Sequence, residues 1–202
     1  MNGHETEAKF YVRDLRNIEL RLHELKAQLI QPRTHETNLR FDNANRDLRN
    51  TYRVLRLRQD DKARFTFKGP SIEKEGGVLS RQEIEFVVED FDNAKLFLEA
   101  LGFIAVVFYE KFRATYKIHD IHVMLDELPY GEFVEIEGEN VIEIHNIANL
   151  LGLNWEVMIN AGYHALFERV AEKYNLESSQ LSFTTLENVK ITPDDLSIQA
   201  AD

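Results

Sequence analysis

Cysteine is absent from this 202-residue chain, which excludes a disulfide scaffold, a Cys-ligated zinc site and a cysteine nucleophile. Long apolar runs are missing too. The longest is Phe103 to Tyr109, against the roughly 20 residues that a spanning helix needs. The opening Met1-Asn-Gly-His-Glu-Thr-Glu7 has no apolar signal core, so a cytoplasmic protein without a membrane partner is expected. Basic charge is in deficit, with 24 Lys and Arg against 35 Asp and Glu and a formal charge of -11. A nucleic acid partner is therefore not expected, because backbone binding needs a basic face. There is no Gly-x-x-x-x-Gly-Lys loop and no Gly-x-Ser-x-Gly elbow. The seven histidines show no zinc spacing. Proline and glycine are sparse, and no segment is repetitive or low in complexity. The length suits one domain with a substantial core.

Apolar alternation and turn residues predict eight strands, at 5–12, 35–42, 52–59, 63–68, 82–88, 105–118, 121–126 and 132–137. Asp14 reads as the N-cap of a helix with Leu15, Ile18, Leu22, Leu25 and Leu29 on one stripe, ended by Pro32. Asp92 reads as the cap of a second helix, with Gly102 at its C-terminal end. From Val141 the pattern turns helical, and Trp155, Met158, Ile159, Gly162, Leu166 and Val170 form one stripe. The expected organisation is an α+β fold dominated by antiparallel sheet. Residues 1–175 make a single domain, with strands over 5–137 and helices over 141–175. Residues 176–202 are a C-terminal extension, loose after Pro193.

The informative feature is the sidedness of the strands, since residues two apart share a face. Glu5, Glu7 and Lys9 lie together, as do Arg56 and Arg58. Arg64, Thr66 and Lys68 oppose Phe65 and Phe67, and Glu83 and Glu85 oppose Ile84 and Phe86. Tyr109, Lys111 and Arg113 oppose Phe108 and Phe112, and Glu135 and Glu137 oppose Val134 and Ile136. Two architectures satisfy this pattern. One is a half-exposed sheet with solvated cross-strand ion pairs. The other is a sheet closed on itself, with the charged face lining a cavity. A wall of Arg and Lys suits a polyphosphate. Carboxylates on the same wall suit it only with a hard divalent cation between, which Mg²⁺ or Mn²⁺ would provide.

Glu5-Thr-Glu7-Ala-Lys9 matches the Glu-x-Glu-x-Lys signature of the CYTH superfamily, the triphosphate tunnel metalloenzymes. The sequence resembles that family further along, in order. The matching segments are Leu55-Arg56-Leu57-Arg58, Phe65-Thr66-Phe67-Lys68-Gly69-Pro70, Ser80-Arg81-Gln82-Glu83-Ile84-Glu85 and Glu110-Lys111-Phe112-Arg113. Leu125-Asp126 and Gly131-Glu132-Phe133-Val134-Glu135-Ile136-Glu137 complete the match. Its look is closer to the class IV adenylyl cyclase-like branch than to the thiamine triphosphatases.

The resemblance implies an eight-stranded antiparallel closed tunnel with helices packed outside, in a monomer or homodimer. It suggests Glu5, Glu7, Asp126, Glu135 and Glu137 near Mg²⁺ or Mn²⁺. Lys9, Arg56, Arg58, Lys68, Lys111 and Arg113 would contact the triphosphate, with Glu83 and Glu85 holding these bases or helping with a second cation. Family members often carry Gln-x-Asp-x-Tyr in the second strand, where this chain has Glu36-Thr-Asn38-Leu-Arg40. In some tunnel triphosphatases that Tyr and the lysine matching Lys68 position the attacking water. Lys68 and Arg40 are accordingly the catalytic candidates. The expected activity is hydrolysis of inorganic, nucleoside or thiamine triphosphate. The alternatives are cyclisation of ATP to cyclic AMP and pyrophosphate, and non-catalytic binding of a polyphosphate or nucleotide.

Overall fold

The computed structural model describes residues 4–74 and 77–202, the side chains of His4 and Glu5 excepted. Its strands are β1 (His4–Val12), β2 (Gln28–Asp42), β3 (Val54–Gln59), β4 (Ala63–Lys68), β5 (Ile72–Glu73), β6 (Leu79–Val88), β7 (Ile104–Ile118), β8 (Ile121–Leu128), β9 (Gly131–Glu137) and β10 (Gln180–Leu181). The helices are α1 (Leu15–Glu24), α2 (Asp47–Asn50), α3 (Phe91–Ala100), α4 (Val141–Leu150), α5 (Tyr163–Tyr174) and α6 (Phe183–Leu186). The eight strands expected from the pattern correspond to β1–β4 and β6–β9.

Those eight pair in the order β1-β9-β8-β7-β2-β3-β4-β6, and β6 pairs back onto β1. Every pairing around this ring is antiparallel. The closed architecture therefore holds, and the half-exposed sheet does not. Closure is incomplete along the strands' length, because β1 meets only 79–82 of β6 and β8 meets only 112–118 of β7. The free stretch of β7 is partly taken by β10, paired in parallel at Phe108 and Tyr109.

The main core lies outside the ring. Phe10, Val12, Val134 and Ile136 face α1 and α4 through Ile18, Leu22, Ile144 and Ile147, all nearly or fully buried. Helix α3 covers β2 and β3 over Phe41 and Leu57. Helix α5 packs differently. Its Leu166, Phe167 and Val170 cluster with Leu128 and Phe133. In register Phe133 stands beside Tyr11 and Asp126, and it shares a face with Glu135 two residues on. Helix α5 thus fills one end of the ring against its inner face.

Several sequence expectations need correction. The first helix stops at Glu24 and not at Pro32. Lys26 adopts φ +57, Ala27 N–H donates to the Leu22 carbonyl and Lys26 N–H to that of His23. This Schellman ending normally shows itself by a glycine. Leu29 and Pro32 therefore belong to β2, which starts at Gln28, and Pro32 sits at an irregularity in the β2–β7 register where no ladder donor is required. The second helix is capped by Asp90, which accepts from Asn93 N–H at 2.7 Å, and Asp92 lies inside its first turn. Tyr52 precedes its strand with φ +56. The stripe from Trp155 to Val170 is broken into a 3₁₀ turn over Trp155–Val157, an extended link and α5. The tail after Pro193 is packed down. Leu196 is fully buried, Ala201 N–H donates to the Tyr11 carbonyl, and Asp202 accepts from Arg13 N–H at 3.0 Å.

Candidate active site

The ring places the charged faces of its strands inward, around a cavity of about 1370 Å³ whose walls include Lys9, Arg56, Lys68, Lys111 and Glu135. Strand register brings distant residues together there. Lys9 stands opposite Glu135 and Glu7 opposite Glu137. Arg56 stands opposite Thr66, Thr66 opposite Glu85, and Lys68 opposite Glu83. Arg113 stands opposite Asp126.

Burying so many charges is tolerable only if they are paired. Lys9 Nζ lies 3.1 Å from Glu135 and 3.8 Å from Glu7, and it donates to the Ala161 carbonyl at 3.2 Å. Arg113 binds Asp126 through two nitrogens, the Nε contact being 2.6 Å, and also reaches Glu135. Lys111 lies 3.1 Å from Asp126 and 3.7 Å from Glu36. Arg58 donates to Glu85 at 3.0 Å and lies 3.7 Å from Glu36. Arg56 donates to Thr66 at 3.2 Å and to Tyr109 at 3.3 Å, and Thr66 in turn donates to Glu85 at 2.9 Å. Lys68 pairs with Glu83 at 3.1 Å.

The electrostatics follow from this pairing. Burial by itself would raise the carboxyls of Glu36 and Glu135. Lys111, Arg113 and Arg58 around Glu36, and Lys9, Arg113 and Lys111 around Glu135, hold both far below the usual range. Burial would lower the Lys9 ammonium, and Glu135 and Glu7 more than reverse it. All three stay charged at neutral pH.

The two acidic segments converge on one wall, where Glu7 and Glu135 flank Lys9 and Glu137 stands opposite Glu7. Glu5 is opposite Arg81 by backbone register, and its side chain lies outside the described residues. Asp126 joins this group through Arg113, one nitrogen of which reaches both Asp126 and Glu135. It is fully buried and taken by Arg113, Lys111 and the Tyr163 hydroxyl, which donates to it at 2.7 Å. Among the described residues no three His, Asp or Glu side chains form a preformed cation cage. The all-oxygen donor set of Glu7, Glu135 and Glu137 nevertheless fits a hard divalent ion, which completes its shell with water and phosphate oxygens.

Three participants escaped the strand pattern. Glu36, on β2, is buried between Arg58 and Lys111. Its place two residues before Asn38 on an alternating strand was the available signal. Tyr163, at the start of α5, lies with its ring 4.5 Å from Lys9 Nζ and 5.2 Å from Lys111 Nζ. Burial and the neighbouring Asp126 raise its hydroxyl well above the ordinary value, so it remains a donor. Nothing local marks it, because it reaches the ring from outside the strands. Asp60 lies 3.3 Å from Arg58 and also pairs with Arg64, although in sequence it looks like a plain turn residue.

A ring of eight antiparallel strands thus encloses one cavity lined by paired cations and carboxylates. The CYTH domain family profile matches residues 3–146, and the chain belongs to that family. It is 33% identical over 135 residues to the putative adenylate cyclase MJ0240 of Methanocaldococcus jannaschii, covering 66% of this chain and 75% of that protein. The fold is similar to that of a putative adenylate cyclase from Vibrio parahaemolyticus, at a TM-score of 0.75 and 17% identity, over 83% of this chain and 99% of that one. It is also similar to a Hippeastrum protein described as a putative adenylyl cyclase with a dominant triphosphatase activity, at a TM-score of 0.56 and 20% identity, over 96% of this chain and all of that one. Among the described residues no helix is long and apolar enough to cross a membrane.

Proposed function

We propose that the protein is a divalent-cation-dependent enzyme that hydrolyses a triphosphate inside the ring. The observation that carries this reading is the inner wall, where Arg56, Arg58, Lys68, Lys111 and Arg113 line one cavity with Glu7, Glu135 and Glu137. Arg56 and Arg58 supply planar forks and Lys68 and Lys111 point charges, which together match the oxygens of a phosphate chain. Glu36, Glu85 and Asp126 hold these bases in place through the ion pairs described above. A bound Mg²⁺ or Mn²⁺ would neutralise phosphate oxygens and polarise the attacked phosphorus. Glu7, Glu135 and Glu137, with Glu5, are the residues that would hold it.

Phosphoryl transfer asks mainly for positioning and charge neutralisation. Lys111, Arg113, Arg56 and Arg58 would restrain the chain's oxygens along the arc of wall formed by β7, β2 and β3, where Glu36 stands between Lys111 and Arg58. Lys68, paired to Glu83, would stabilise charge at the attacked group. Water attacks, and the bond to the departing phosphate breaks. Tyr163 and α5 close one end of the ring and exclude bulk solvent from that end.

Cyclisation of ATP to cyclic AMP and pyrophosphate is the second reading, favoured by the name of the Methanocaldococcus relative. Incubation with tripolyphosphate or ATP in Mg²⁺ and in Mn²⁺, with the products resolved, separates the two. Orthophosphate release supports hydrolysis, and cyclic AMP with pyrophosphate supports cyclisation. No product with any triphosphate refutes both.

A further inference from the structure

Arg40 is the odd member of the inner wall. Among the described residues every other strand-borne cation facing the cavity is ion-paired with a carboxylate. Arg40 lines the same cavity and, among the described residues, has no hydrogen-bond or ion-pair partner. Of the groups whose field favours its charge, Tyr109 is bound by Arg56 at 3.3 Å and Glu168 by Arg49 at 2.8 Å. Burial, reinforced by Arg49 and Arg56, depresses its guanidinium from the usual value. In register Arg40 stands opposite Arg56, and like charges directly opposite on neighbouring strands repel. The Nε of Arg56 is itself buried without a hydrogen-bond partner. Two adjacent guanidiniums with unspent donors make a place for an anion. Arg40 is not among the residues assigned to the triphosphate, whereas Arg56 is and would border both groups, on the side of the cavity where α2 brings Arg49 to the wall. At about 1370 Å³ the cavity also exceeds the roughly 300–1,000 Å³ of ordinary small-molecule sites.

We propose that Arg40, with Arg56, forms an additional anion subsite that takes a fourth phosphoryl group joined to the triphosphate, so that the tunnel prefers a tetraphosphate-bearing substrate. The inference rests on the triphosphate reading and extends it by one group. Two sources share this chemistry. The fourth group can lie in line, as in tetrapolyphosphate or adenosine 5′-tetraphosphate, or on the sugar, as in ATP phosphorylated at the 3′-hydroxyl.

The test is a thermal-shift titration in Mg²⁺, which reads binding whether or not turnover follows. Wild type, Arg40→Gln and Arg40→Lys are each titrated with tripolyphosphate, tetrapolyphosphate, ATP and the two four-phosphate nucleotides. Wild type is expected to bind a four-phosphate ligand about tenfold more tightly than its three-phosphate counterpart, the gain of one charge-assisted contact. Arg40→Gln should bring that ratio close to one, and Arg40→Lys should restore part of it. Whichever four-phosphate ligand shows the Arg40-dependent ratio identifies the source. A wild-type ratio near one, or a ratio that survives Arg40→Gln, overturns the subsite and leaves the triphosphate reading standing. No shift with any of these ligands overturns both.

Discussion

Replacing Arg113 with glutamine removes the cation that joins Asp126 to Glu135 inside the ring. Asp126 is fully buried and Glu135 nearly so. Removing one member of a buried ion pair costs about 3–5 kcal/mol, because the other charge is left uncompensated. Two features of the site favour the lower end. Asp126 keeps Lys111 at 3.1 Å and the Tyr163 hydroxyl at 2.7 Å, and Glu135 keeps Lys9 at 3.1 Å. Arg113→Gln is therefore expected to cost about 3 kcal/mol, which in a chain of this length lowers the melting temperature by about 6–12 °C. Urea denaturation and calorimetry on the ligand-free protein measure it. In the double variant Arg113→Gln with Asp126→Asn, the combined cost should fall short of the sum by about 1 kcal/mol or more, since the two residues act on each other. A loss below about 1 kcal/mol for Arg113→Gln, the value of an exposed pair, would show that water screens these charges. The description of the inner wall as a desolvated, mutually neutralised set would then fail.

Tripolyphosphate with Mg²⁺ should raise the melting temperature of the wild type, by the equivalent of about 2.7 kcal/mol at a hundredfold excess over Kd; an unchanged transition argues against the site. Arg58→Ala should weaken triphosphate binding by about tenfold, whereas Lys68→Ala should depress kcat more than it raises KM. Steady-state kinetics on both variants distinguish them, and equal effects on binding with intact turnover would reduce Lys68 to a phosphate clamp. Stability of the ligand-free protein should be pH-dependent on the acid side. Glu36 and Glu135 have folded-state values far below the ordinary one. Their contribution is thus full above the unfolded value of about 4.3 and is lost as pH falls through the folded values. Glu36→Gln should flatten that acid limb while lowering stability at neutral pH, and an unaltered pH profile in this variant would contradict the buried pairing.

Strand sidedness was legible along most of the chain because alternation has a period of two, but not on β8, where both faces are apolar and the facing of Asp126 could not be read. The eight segments and the inward direction of Lys9, Arg56, Lys68, Lys111 and Glu135 follow from that periodicity. Helix ends were less legible where the stop carries an unusual residue, as at Lys26, whose left-handed conformation is marked by no glycine. Periodicity could not decide whether the sheet closes, because an open sheet and a ring share the same alternation. Only the return pairing of β6 onto β1 settled that. It also could not decide who pairs with whom. The contacts Lys9–Glu135, Lys111–Asp126 and Arg58–Glu36 join residues on different strands, and register across a ring is set by turns and packing. Tyr163 enters the cavity only because α5 folds back into one end of the ring. That Arg40 has no ion-pair partner among the described residues emerges only once Glu168 is seen to be bound by Arg49, since an unpaired charge is a property of its surroundings and not of its position in the chain.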